Sequence, residues 1–264
     1  MSSYREWIGA LRDLKLGRHS RTLVHASLES MAPVAGGAET AVGALLATCE
    51  TVVAPTFTLR TLVVPNVGPP DNGLVYGVAP NTEAEIFDPA MAADVDMGAF
   101  AEALRQHSQS QRSSHPALSF AGVRAEAVLA AQTLDEPLAP IRALAEEDAD
   151  VLLIGIGHRT NAGLHWAEHL AGRKQFIRWA LTTRGVVECP AFPGCPDGFE
   201  AIAPKLEGVT REANLGNDTL VAVALRDLIN IAVAWIRQDP RALLCDRLGC
   251  ERCAAVRAAV RVAP

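Results

Sequence analysis

Four consecutive apolar residues, Val151-Leu152-Leu153-Ile154, run into Gly155-Ile156-Gly157 and then into the polar stretch His158-Arg159-Thr160-Asn161. A strand with one wet face alternates apolar and polar residues, and this run has no wet face. It is read as a strand over 150–156 that is buried on both sides, as in parallel sheets whose strands are linked by helices. The flanking sequence agrees. Residues 21–26 and 51–55 are two more short strands, and 40–48 between them is helical in composition. Strands alternating with helices predict an α/β fold with a partly parallel sheet.

Apolar spacing predicts helices over 3–15, 97–106, 126–132, 141–147 and 163–171, and a long one over 217–238. A strand is expected over 118–123, and strands with a turn near Arg184-Gly185 within 176–187. Residues 61–98 carry many Pro, Gly and Asn and little periodicity, which marks a long functional or mobile loop. No repeat divides the chain, and 1–264 is read as one domain. With 49% hydrophobic and 20% charged residues, 264 residues can bury a sizeable core, which excludes a disordered or fibrous protein. The 24 basic and 30 acidic residues leave a net charge of −6, with no electrostatic footprint for nucleic acid. The N-terminus lacks the apolar core of a signal peptide, and the longest apolar runs are too short for a bilayer. A cytoplasmic protein with no membrane partner is expected.

Four groups of residues carry chemistry. Gly36-Gly37-Ala38-Glu39 opens a helix, where backbone amides attract anions; the plain alternative is a helix-entry turn. Arg112-Ser113-Ser114-His115-Pro116 gathers a cation, two hydroxyls and an imidazole, suited to a phosphate or pantetheine-like ligand or simply to a capped surface loop. His165 enters a helix from the polar end of the 150–156 strand, the usual ligand edge of such a sheet. It is either a general base or a packed, hydrogen-bonded imidazole. Glu168 shares its helix face. Finally, five of the six cysteines lie in the last third, and Cys250-Glu251-Arg252-Cys253 is a CxxC. Cys195, Cys245, Cys250 and Cys253 form a candidate structural zinc site within 189–253, with Cys189 in reserve; the alternative is unliganded thiols.

Taken together, Val24-His25-Ala26-Ser27, Gly36-Gly37-Ala38-Glu39-Thr40, Pro55-Thr56-Phe57-Thr58, Arg112–Pro116 with Ser119-Phe120-Ala121, and Leu152–Gly157 with Asn161 and Leu164-His165-Trp166-Ala167-Glu168 resemble the aminoglycoside 3-N-acetyltransferases in order and spacing. The likeness covers about residues 5–255. Its tail, Gly249-Cys250-Glu251-Arg252-Cys253, looks like the apramycin-acetylating branch. The resemblance implies an α/β/α-type fold, a sheet flanked by helices, with acetyl-CoA running past Ser27 and Leu28, the Gly36-Gly37 helix start, and Arg112, Ser113 and Phe120. It also implies an acidic cleft for a small amine substrate and His165 as the base. Asp71 and Asp88 are the expected amine contacts. Two positions depart from the family pattern. Ala162 stands where threonine is common, and the glutamate expected to orient the histidine falls near Cys189-Pro190, which makes Glu188 the candidate. The competing functions are a diverged family member with another acyl donor or acceptor, a CoA-binding protein without transferase activity, and a zinc hydrolase.

Overall fold

The computed structural model describes residues 1–78 and 80–262. In chain order its elements are α1 (Tyr4–Asp13), β1 (Arg21–Ala26), α2 (Gly37–Thr48), β2 (Thr51–Pro55), β3 (Leu62–Val63), α3 (Gly98–Gln106), β4 (Ser110–Arg112) and β5 (Phe120–Val123). Then follow α4 (Glu126–Ala130), α5 (Ala139–Glu146), β6 (Asp150–Ile154), α6 (Ala162–Leu170), β7 (Phe176–Thr182) and β8 (Gly185–Phe192). The chain ends with α7 (Ala203–Leu206), β9 (Thr210–Leu215), β10 (Asp218–Ala224), α8 (Leu225–Gln238) and α9 (Glu251–Val262).

Seven strands form the main sheet in the order β4-β5-β2-β1-β6-β10-β9. The centre, β2-β1-β6, is parallel and the outer pairs are antiparallel. The apolar run of β6 divides as a doubly covered strand must. Val151 and Leu153 face a layer built from α4 to α8, and Leu152 and Ile154 face α1, α2 and α3. This is the expected α/β/α sandwich. A second sheet, β3-β7-β8, shares a small apolar cluster with α9 through Phe176, Ala180, Cys189, Phe192, Ala255 and Val256.

The connections place the functional edge. After β1 the chain turns into α2 on one face, and after β6, its parallel neighbour, into α6 on the other. Adjacent strands that send their chains to opposite faces leave a crevice at their carboxyl ends, where ligands of open α/β sheets bind.

The expected helix over 217–238 is corrected. Only 225–238 is helical; 218–224 is β10, an inner strand, and β9 lies beyond it at the sheet edge. Gly216-Asn217 is a two-residue hairpin loop with Gly216 at φ +65°, and Asp218 pairs with Leu215. The apolar stretch of β10 runs straight into the apolar face of α8, so no polar break separates strand from helix. The segment 61–98 is largely irregular, but it is tied down. Leu62 and Val63 pair with β7, Phe87 bridges to Thr182, and Arg60 clasps Asp94 at 2.6 Å.

Candidate active site

At the carboxyl ends of β1 and β6, a small pocket of about 60 Å³ is lined by His25, Phe57, Asp96, Met97, Ile156 and Thr160 among others. Two groups cap the amino end of α6 beside it. Asn161 Oδ1 accepts from Gly163 N at 3.0 Å, and His25 Nε2 accepts from Ala162 N at 3.3 Å. An imidazole that accepts at Nε2 carries its proton on Nδ1. Burial, reinforced by the nearby His158 and His165, pushes the pKa of His25 down to about 3, so it stays neutral. Asn161 Nδ2 also stands 3.3 Å from His158 Nδ1.

His165 lies one turn into α6. Its Nδ1 is 2.9 Å from Glu168 Oε2, and its ring meets Phe199 edge-on with centroids 4.7 Å apart. The other oxygen, Glu168 Oε1, accepts from Arg173 Nη1 at 2.8 Å, and Arg173 Nη2 donates to the carbonyls of Pro240 (2.9 Å) and Ala242 (2.7 Å). Glu168 is 2% exposed and Arg173 8%, so the carboxylate is compensated inside the protein on both oxygens. A carboxylate can only accept, so Glu168 orients the ring through Nδ1–H and leaves Nε2 as the nitrogen turned away from it.

The expectation for Glu188 is corrected. It is exposed on β8, across from Trp179, and the carboxylate against His165 is Glu168. The three-residue step on one helix turn is the signal the sequence offers for it. Arg173 has none, because its role arises from the turn after α6.

The other expected residues divide into two groups. Ser27, Leu28, Gly36 and Gly37 lie at the crevice edge. Ser27 Oγ bonds Ser30 Oγ at 2.8 Å, and Gly36 takes φ +79° to turn the chain into α2, leaving both glycines at least partly exposed. Arg112, Ser113 and Phe120 are engaged within the protein. The Arg112 guanidinium donates to Ser119 Oγ and to the carbonyls of Pro89, Met91 and Thr56, so four of its five N–H groups are committed within the protein. Ser113 Oγ is bonded to the backbone of Phe120, and Phe120 is fully buried against Phe57. These bonds make the loop a brace between β4, β5 and the 89–91 segment. His115 is buried within it, its Nδ1 accepting from the amides of Ala117 and Leu118. Asp71 and Asp88 are exposed, and Asp88 Oδ1 accepts from Ala90 N at 2.6 Å. The acid that lines the pocket is Asp96.

Cys195, Cys245, Cys250 and Cys253 come together with all four sulfurs within 4.8 Å of one another, all buried. Four thiolates at the usual zinc distance in a tetrahedron stand roughly 3.8 Å apart. The Cys195–Cys245 and Cys245–Cys253 separations, 3.9 and 3.5 Å, fit that shell. A hydrogen bond from Cys253 pulls the Cys195 thiol well below its usual value, while that same bond raises Cys253 and burial raises Cys245, so these sulfurs titrate as one interacting set. Cys250 and Cys253 flank the first turn of α9, where a three-residue step puts both thiols on one face. Cys189 lies in the second apolar cluster instead, and burial pushes its thiol up to about 12. Among the described residues, no helix is long and apolar enough to cross a membrane.

The sequence profile of the aminoglycoside 3-N-acetyltransferase family matches residues 23–237. Aminoglycoside N(3)-acetyltransferase III of a Salmonella species is 28% identical, with 87% of this chain and 89% of that enzyme covered. The crystal structure of the aminoglycoside acetyltransferase AAC(3)-IVa apoenzyme superposes with a TM-score of 0.79 at 26% identity, covering 97% of each chain. A histidine-to-alanine variant of that enzyme was solved in complex with a gentamicin. AAC-IIIb, solved with CoASH, shares the fold with a TM-score of 0.73 at 23% identity over 90% of this chain and 97% of that one. The profile runs from β1 through α8 and takes in the crevice, the His165–Glu168 pair and the loop after β8, and on that match the chain belongs to the aminoglycoside 3-N-acetyltransferase family.

Proposed function

We propose that the protein transfers the acetyl group of acetyl-CoA to an amine of an aminoglycoside in the cytoplasm, with His165 as the general base. The buried His165–Glu168 pair on α6, the helix that follows β6, carries the reading. An ammonium has no lone pair and cannot attack a thioester. The ammonium first gives one proton to solvent, and His165 Nε2 accepts a second as the free amine nitrogen attacks the acetyl carbon. The tetrahedral intermediate then collapses to the amide, and the CoA thiolate leaves and takes up a proton. Glu168 stabilises the imidazolium formed in the attack. Ser27, Leu28 and the Gly36-Gly37 entry to α2 line the CoA path, and Asp96, with Asp71 further out, meets the cationic amines. The four cysteines hold one structural zinc; with its shell filled by sulfur it supplies no open position for water.

The test is thiol release from acetyl-CoA, followed with a disulfide dye, over a panel of aminoglycosides that includes gentamicin. Saturable turnover with an acetylated product is expected. CoA binding by calorimetry with no turnover on any amine would leave a CoA-binding protein instead. Elemental analysis of the purified chain should find about one zinc per chain.

A further inference from the structure

Three segments run from the cysteine quartet to the His165–Glu168 pair. Gly194 precedes Cys195, and a Cβ there would lie 3.7 Å from Glu168 Oε2, the oxygen that holds His165. Phe199, four residues after Cys195, packs its ring on His165. Ala242, three residues before Cys245, supplies a carbonyl that fixes Arg173, which fixes the other Glu168 oxygen. These segments are also joined to one another. Arg252, between Cys250 and Cys253, donates from Nη1 to the Gly194 carbonyl at 2.9 Å. The backbone at Gly198 is so close to Leu243 and Leu244 that an added Cβ would lie 2.5 Å from Leu243 O. Asp197 pairs with Arg159 of the loop after β6 at 2.6 Å and with Arg247 at 3.1 Å. A cluster that only pinned the tail would not need to touch both members of the pair and the arginine behind them.

We propose that the four-cysteine centre is a bracket that positions the His165–Glu168 pair, so that occupancy of the centre sets turnover as well as stability. The proposal rests on the zinc reading above. Gly194, Phe199 and Arg173 are positioning residues, since none of them is placed against the reacting atoms. None of the three routes depends on a change of charge at the metal. All three transmit position, because each connecting segment is a main-chain step of a few residues held by the contacts just described.

The experiment compares the full chain, Cys253→Ser and Arg173→Lys. Each is examined for zinc content, circular dichroism, the downfield proton resonance of the His165 Nδ1–H···Glu168 hydrogen bond, and kcat and KM with acetyl-CoA and gentamicin. The wild type should hold zinc and show the resonance. Cys253→Ser should lose zinc, lose or broaden the resonance, and drop kcat roughly tenfold or more while KM for acetyl-CoA changes less than about threefold. If that variant does not fold, Arg173→Lys decides. It keeps all four cysteines and a positive charge but loses the fork that ties Glu168 to Pro240 and Ala242, so it should keep zinc and lose the resonance and kcat together. A folded, zinc-free Cys253→Ser with the resonance and kcat intact overturns the proposal and leaves the zinc reading standing. Arg173→Lys with both intact does the same. A wild type that carries no metal yet shows the resonance overturns the zinc reading and, with it, the bracket's dependence on occupancy. The resonance is read without turnover, so a failure of the acetyl-transfer assignment stays separate from a failure of the bracket.

Discussion

His165 Nδ1 and Glu168 Oε2 lie 2.9 Å apart on one turn of α6, both buried and with Arg173 closing the far side of the carboxylate. A buried imidazole–carboxylate pair fixes the tautomer and stabilises the imidazolium as it forms. His165→Ala should therefore lower kcat by about a hundredfold or more with a small effect on CoA affinity. Glu168→Gln keeps the shape and removes the charge, and should reproduce much of that loss. Glu188→Gln should be silent, because Glu188 is exposed on β8. Thiol-release kinetics on the three variants check this. Full activity in Glu168→Gln would end the orienting role.

The sequence points Arg112 at a phosphate of CoA, and the structure commits it to three carbonyls and a hydroxyl. Burial pushes its pKa down to about 10, still well above neutrality, so it remains charged. Arg112→Ala strands those acceptors and should cost roughly 1.5–3 kcal/mol of stability. A melting curve shows the cost, and calorimetry with CoA shows whether affinity moves with it. A collapse of CoA affinity at unchanged Tm would return the guanidinium to the phosphate.

Acid should unfold the protein through its buried histidines. Burial pushes His25 to about 3 and His115 to about 4 in the folded chain, against about 6.5 when unfolded. Between roughly pH 6.5 and 4 the unfolded chain holds protons that the folded chain refuses, so stability falls as pH falls, by up to about 1.4 kcal/mol per pH unit for each histidine. Above about pH 6.5 both states are neutral at these sites and the slope vanishes. Urea unfolding from about pH 7.5 to 4.5 measures it. His115→Gln, which can still accept from the Ala117 and Leu118 amides, should remove about one proton's share of the slope. An unchanged slope would mean that His115 titrates in the folded state.

What can be read in the sequence follows from how local its signal is. Val151–Ile154 announces a doubly covered strand because no polar residue interrupts it, and the α/β fold with a partly parallel sheet follows from that strand and its neighbours. The CxxC at Cys250 and Cys253 is a local spacing, and adding Cys195 and Cys245 needs only the clustering of cysteines. Setting aside Cys189 needs the fold, since only the packing of β8 against α9 carries it into another cluster. β10 is hidden because its apolar residues continue into the apolar face of α8, and periodicity cannot separate a short buried strand from a helix. Glu168 is visible at its three-residue step, yet the family pattern points to a more distant carboxylate. Arg112 illustrates the opposite limit. A cation beside hydroxyls reads as an anion site from composition, and only the carbonyls of a loop some twenty residues earlier show its donors to be occupied.

Gly198 gives the most direct steric test of the loop between Cys195 and the His165–Glu168 pair. A Cβ there would lie 2.5 Å from Leu243 O and 2.6 and 2.7 Å from Leu244 C and O, all main-chain atoms that cannot rotate away. The φ of Gly198 is −96°, so the conflict is one of space and not of backbone conformation. Gly198→Ala must push the loop and the 243–244 segment apart, at a cost of about 1–3 kcal/mol, as overpacking does. Phe199 moves with its neighbour, so kcat should fall alongside Tm. Gly208→Ala is the matched control. Its added Cβ meets nothing within 4 Å, and it should leave both kcat and Tm nearly unchanged. Differential scanning calorimetry with steady-state kinetics on the pair reads both quantities. A Gly198→Ala protein that melts and turns over like Gly208→Ala would show that the two segments are not in the close contact from which the position of Phe199 follows.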